Sequence, residues 1–113
     1  MSKTIFTKII DGELPAERVY EDDSVVAIRD INPVAPTHVL IVPRKPIDRI
    51  EHVTEEDEAL LGHMMVVATK IARQEGLNQG YRLVLNNGEH GRQSVFHIHL
   101  HLLGGRELDV SMG

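Results

Sequence analysis

The sequence contains no cysteine. Disulfides, thiolate metal ligands and thiol nucleophiles are therefore excluded, and any chemistry must use nitrogen and oxygen groups. The composition is compatible with a reducing compartment. The start Met1-Ser2-Lys3-Thr4-Ile5-Phe6 lacks the apolar run of a secretory leader, and no stretch is long and apolar enough to cross a bilayer, so a cytoplasmic protein with no membrane partner is expected. An excess of positive charge is also missing. The formal net charge is −5, which argues against nonspecific nucleic-acid binding or an anionic membrane surface, since both want a basic face. A small anionic ligand is not excluded, because a few local donors suffice to hold one. There is no internal repeat and no low-complexity segment.

What is present fits one domain over residues 1–113, with 42% apolar residues, an ordinary globular value. Ile5 to Ile10 predicts a short helix, ended by the turn residues Asp11-Gly12-Glu13-Leu14-Pro15. Arg18 to Glu21 and Val25 to Asp30 read as a hairpin about Asp22-Asp23-Ser24. Asn32-Pro33 to Pro36 reads as a loop, because each proline disfavours helix in the residue before it. Val39-Leu40-Ile41-Val42, stopped by Pro43, is a continuous apolar run suited to a central strand covered on both faces. Thr54 is a good N-cap, followed by the acidic first turn Glu55-Glu56-Asp57. Leu60, Met64, Val67 and Ile71 then recur at helical spacing, flanked by Leu61, Met65 and Ala68, and Gly76 closes the helix. Tyr81 to Asn86 and Val95 to Leu103 are the last two strands. Asn87-Gly88-Glu89-His90-Gly91-Arg92 is a polar loop between them, and Glu107 to Gly113 has no pattern. Strands flank one main helix without alternating with helices, so the class is α+β with a five-stranded, mainly antiparallel sheet and a short N-terminal helix.

The sequence has seven histidines, and three lie in Phe96-His97-Ile98-His99-Leu100-His101-Leu102-Leu103. Strand side chains alternate faces, so His97, His99 and His101 share one face while Phe96, Ile98, Leu100 and Leu102 share the other, beneath the helix. Neighbouring imidazoles on that face are expected about 7 Å apart, close enough to share a small ligand. Each protonation raises the cost of the next, which favours neutral rings near pH 7. Two chemistries fit such a row. The imidazoles bind zinc with water in the fourth position, or one neutral ring attacks an electrophile while its neighbours orient it. Gly88, Gly91, Ser94, Asn86 and Gly104-Gly105 supply small residues and neutral donors suited to a phosphate, and no carboxylate second shell for zinc lies nearby in sequence. His52, His63 and His90 read as surface.

The sequence resembles the histidine triad superfamily, and within it the histidine triad nucleotide-binding branch. The resemblance rests on His97-Ile98-His99-Leu100-His101-Leu102-Leu103 together with Ala35-Pro36-Thr37-His38, Asp30-Ile31-Asn32-Pro33, Gln93-Ser94-Val95 and Gly104-Gly105-Arg106. It spans nearly the whole chain. It implies a homodimer with a continuous ten-stranded sheet, and hydrolysis of purine nucleoside phosphoramidates without a metal or other cofactor. By the same resemblance His99 is the nucleophile and His101 contacts the phosphate and scissile region. His97 and His38 support tautomer and orientation, and Asn86 and Ser94 are phosphate-region donors. Asp30 accepts from the ribose hydroxyls, while Ile5, Phe6, Ile9, Ile28 and Ile31 form the base cleft. A non-enzymatic nucleotide-binding or interaction module, a zinc-dependent hydrolase and a transferase or dinucleotide hydrolase of a neighbouring branch stand as alternatives. The chain departs from the branch at Gly91-Arg92, where two glycines are usual, and in its tail Val110-Ser111-Met112-Gly113.

Overall fold

A computed structural model describes residues 3–112. Met1 and Ser2 of the start and Gly113 of the tail lie outside the described residues. The fold is one antiparallel sheet of five strands in the order β1-β2-β3-β5-β4. The strands are β1 (Arg18–Glu21), β2 (Val25–Arg29), β3 (Thr37–Pro43), β4 (Arg82–Val84) and β5 (Leu100–Gly104), with helices α1 (Ile5–Ile10) and α2 (Glu58–Gln74). This is the expected α+β architecture.

The hairpin forms because Asp22 Oδ1 accepts hydrogen bonds from the Ser24 and Val25 N–H groups, at 2.8 and 2.9 Å. That is the turn an aspartate side chain favours. β3 is buried along its whole length between β2 and β5, as its unbroken apolar run predicts. Side-chain alternation then sorts the core into two layers. Ala27, Val39, Ile41, Leu100 and Leu102 pack with Met64, Val67, Ala68 and Ile71 of α2. Val26, Ile28, Leu40 and Val42 face the other way, against Phe6 and Ile9 of α1. Each large apolar side chain removed from water contributes roughly 1.5–3 kcal/mol, so α2 is held chiefly by this face. α1 has six residues and covers only part of the second face. The histidines lie on this same face, where Phe6 of α1 packs against His97 and His99.

Five expectations need correction. The main helix does not run as one α-helix from Thr54: Glu55–Asp57 is a 3₁₀ turn, and α2 proper has 17 residues. The Asp57 carboxylate accepts the Thr54 N–H at 3.0 Å and the Lys45 ammonium, which ties down this first turn. Met65 does not flank the core; it is half exposed, as is Val66. The last strand begins at Leu100 instead of Val95. In the β3–β5 register Ile41 pairs with Leu100, so the next pairs would bring Ile98 opposite Pro43, which has no N–H to offer. The Ile98 N–H donates instead to the Ile47 carbonyl at 2.8 Å. Phe96 lies before this point and is exposed, not beneath the helix. β4 is likewise shorter than Tyr81 to Asn86.

Candidate active site

Even where the ladder stops, the period of two persists. Ile98, Leu100 and Leu102 sit in the α2 layer, and the rings of His97, His99 and His101 lie on the opposite face. They converge more than two strand steps require: the His99 and His101 ring centroids are 5.0 Å apart. Phe6 of α1 meets His99 edge-on at 4.8 Å and His97 at 6.2 Å. His97 and His99 are buried, while His101 is partly exposed.

The hydrogen bonds determine where each proton resides. His97 Nε2 is 2.7 Å from the Pro43 carbonyl and must donate to it. Its Nδ1 then accepts, and the hydroxyl of Thr7 lies 3.4 Å away. His99 Nδ1 is 2.8 Å from the His97 carbonyl, so Nδ1 bears the hydrogen and Nε2 keeps a free lone pair. The Val34 N–H points at His38 Nδ1 from 3.2 Å, which makes that nitrogen an acceptor and puts the proton of His38 on Nε2. His38 Nε2 lies 2.9 Å from His101 Nδ1. His101 therefore accepts there and presents an Nε2–H.

These tautomers belong to neutral rings, and the surroundings keep them neutral. Burial lowers the pKa of His97, His99 and His38. Hydrogen bonds to backbone carbonyls oppose the shift at His97 and His99, and the Asp30 carboxylate opposes it at His38 and His99. His101 is pushed down to about 4, first by burial and then by the neighbouring His99 and His38. One carboxylate serves two contacts here. Asp30 Oδ1 accepts the Asn32 N–H at 2.8 Å, and Oδ2 lies 3.5 Å from His38 Nε2.

His99 and His101 open onto a cavity of about 420 Å³. Ile5, Phe6, Ile9, Ile28 and Ile31 all line it, with Asp30 and Ser94. Ile5 is 46% and Ile31 84% exposed, so these two are not ordinary core residues. The structure brings His38 to the site through His101. It does not bring Asn86: this side chain is absent from the cavity wall, and its amide donates to the Gly91 carbonyl at 2.7 Å, stapling the loop. Sequence reasoning missed Leu40 and Val95 on the wall. Leu40 was legible only through the register, since it pairs with His101. Thr7 was missed because its partner His97 is 90 residues away, and Gln93 was given no role although two of its partners, Gly88 and Val95, are close in the chain. His63, read as surface, instead bonds Asp22 at 2.7 Å on the α2 side of the sheet.

Among the described residues, the three triad rings do not bring their ligand atoms together as one set. Among the described residues, the group whose ligand atoms come together, within 4.8 Å, is Asp30, His38 and His101. A metal on His38 Nε2 would move the proton of the neutral ring to Nδ1, where it would confront the Val34 N–H. The donor set therefore fits a proton-bearing pair better than a metal. Nor does a lysine line the cavity, and its one arginine, Arg29, is engaged by Glu17 and Glu75. An anion here would meet neutral donors.

A five-stranded antiparallel sheet that lays a row of uncharged imidazoles beside an apolar cleft defines a class of protein, and the comparisons agree with it. A sequence model of the HIT domain matches residues 11–108, and the chain belongs to that family. It is 55% identical over 107 residues to a purine nucleoside phosphoramidase of Escherichia coli, covering 94% of this chain and 90% of that protein. It superposes with a TM-score of 0.95 and 49% identity on a HIT family hydrolase from Legionella pneumophila, covering 98% of this chain and 100% of the other. A histidine triad protein from Clostridium difficile gives 0.93 and 42%, covering 99% and 100%.

Proposed function

We propose that the protein is a purine nucleoside phosphoramidase. It hydrolyses the P–N bond of a nucleoside 5′-phosphoramidate, such as lysine-linked AMP, to the nucleoside monophosphate and the amine. The observation that supports this most directly is the tautomer of His99. Its Nδ1–H is committed to the His97 carbonyl at 2.8 Å, and its unprotonated Nε2 belongs to a ring on the cavity wall. The similarity to the Escherichia coli enzyme over most of both chains points the same way.

In this reading the base lies against Ile5, Phe6, Ile9, Ile28 and Ile31, and Asp30 accepts from the ribose hydroxyls. His99 Nε2 attacks the α-phosphorus. The P–N bond breaks with its electron pair on the amine nitrogen, which takes the Nε2 proton of His101. The product of this half is a nucleotidyl-histidine and a free amine. Water then attacks the same phosphorus and loses a proton to His101, returning His99 and releasing the monophosphate. Ser94 and the loop amides stabilise charge on the phosphoryl oxygens. Asn86 shapes that loop without touching substrate. No metal takes part.

Two copies pair as a homodimer in this proposal. The three-residue β4 is an edge strand, with the exposed Tyr81 beside it. Pairing β4 with its symmetry mate would give the ten-stranded sheet. Light scattering reads the mass, and a monomer at micromolar concentration contradicts the pairing.

The test of the reaction is a single turnover with a labelled adenylated amine, quenched and mapped by mass spectrometry. Adenylated His99 is expected, with no adenylated peptide from H99A and turnover reduced to background. An H99A protein that still turns over at the wild-type rate would overturn the assignment. Nucleotide binding without turnover across a panel of phosphoramidates would instead support a binding module.

A further inference from the structure

Between β4 and the histidines the chain makes an unfavourable turn. Arg92 has φ = 63°, a left-handed conformation that arginine seldom adopts. Such strain persists only where the surroundings over-determine the backbone. The determinant is the next residue. The side chain of Gln93 is buried, and every polar atom of its amide is used. Oε1 accepts the Gly88 N–H at 2.9 Å, and Nε2 donates to the Asp48 carbonyl at 2.7 Å and the Val95 carbonyl at 3.0 Å. The backbone repeats the clamp, since the Gln93 N–H donates to the Gly88 carbonyl at 3.0 Å. With Gln93 turned inward, the next two residues, Ser94 and Val95, stand on the cavity wall with His99 and His101. Ser94 is exposed there, and its hydroxyl has no protein partner among the described residues.

We propose that Gln93 is a positioning residue for the phosphate end of the site: its amide holds the left-handed turn at Arg92 so that Ser94 faces a phosphoryl group. The inference rests on the nucleotide reading above and goes beyond it. Gln93 touches no substrate atom and acts through Ser94. Its removal therefore weakens recognition of the phosphate and leaves recognition of the nucleoside intact. General loosening of the protein would weaken both together.

The experiment compares the affinities of AMP and adenosine by calorimetry for the wild type, Q93L, S94A and the double variant. The AMP advantage over adenosine is expected to fall about tenfold in S94A and by a similar factor in Q93L, with adenosine affinity changed less than twofold. The double variant is expected to lose no more than S94A alone, because the two residues act in series. Full additivity, parallel loss of AMP and adenosine, or an unchanged Q93L overturns the role of Gln93. A wild type that does not prefer AMP to adenosine, or an unaffected S94A, overturns the nucleotide reading instead. If Q93L does not fold, Q93E serves. Its carboxylate faces the Asp48 and Val95 carbonyls without a donor, and protonation restores one. The AMP advantage of Q93E, relative to the wild type at the same pH, is then expected to recover between pH 7.5 and 5.5, and a flat ratio at the wild-type value contradicts the proposal.

Discussion

His38 Nε2 lies 2.9 Å from His101 Nδ1, and this contact decides which face of His101 bears a proton. The decision starts further back, at the Val34 N–H, which turns His38 Nδ1 into an acceptor. A backbone amide in the loop before β3 thus sets the donor at the mouth of the cavity.

That relay predicts a leaving-group dependence. H101A should slow release of an alkylamine by about 10²–10³-fold, the usual contribution of a positioned general acid. For an AMP ester with an acidic phenol, which needs no proton to leave, the loss should be under about tenfold. H38A should show the same contrast in weaker form. Equal losses on both substrates, measured as kcat, would remove His101 from the role of acid.

The neutral histidines also predict how stability varies with pH. The pKa of His101 lies at about 4, against an ordinary 6.5, and those of His97, His99 and His38 are lowered too. The unfolded chain therefore binds protons that the folded chain refuses. This contribution is complete above pH 6.5 and is lost progressively as pH falls toward 4. The thermal midpoint should drop by about 5–10 °C between pH 7 and pH 5. H101Q should show a shallower drop in parallel scanning calorimetry, and an unchanged slope would assign the effect to other groups.

A third expectation concerns the loop. A side-chain carbon added at Gly91 would lie 2.5 Å from the Asn87 carbonyl oxygen. That atom is backbone and cannot swing aside, so G91A must open the loop that Asn86 and Gln93 close. AMP affinity should fall by about tenfold, with the helical circular dichroism retained. Wild-type affinity in G91A would show that the loop geometry does not matter to the ligand.

The opposite face supplies a control. His63 of α2 bonds Asp22, which also accepts from the Tyr20 hydroxyl at 2.8 Å. Despite partial burial, the Ser24 N–H, followed by His63, the Tyr20 hydroxyl and the Val25 N–H, holds the Asp22 carboxyl well below the usual carboxylate range. H63A should cost about 1 kcal/mol, the net value of one hydrogen bond, and should leave kcat/KM unchanged. A large loss of activity would mean that the two faces of the sheet are coupled.

Much of this was readable along the chain. The apolar run of Val39–Val42 has one good solution, a buried central strand, and the alternation in 97–102 assigns its residues to two faces whether or not a ladder forms. Asp30, Ser94 and the isoleucines of the cleft were reached through resemblance, and the geometry brings them to one cavity. Asn86 was less legible, because an amide beside a glycine loop suits a phosphate and a backbone carbonyl equally well, and here it donates to the Gly91 carbonyl.

By itself the sequence determined which side chains share a face, because a period of two is a local property of the backbone. Only the tertiary structure decided the protonation of each imidazole. That depends on the carbonyl of Pro43, the amide of Val34 and the ring of a histidine 63 residues away, partners that no local pattern specifies.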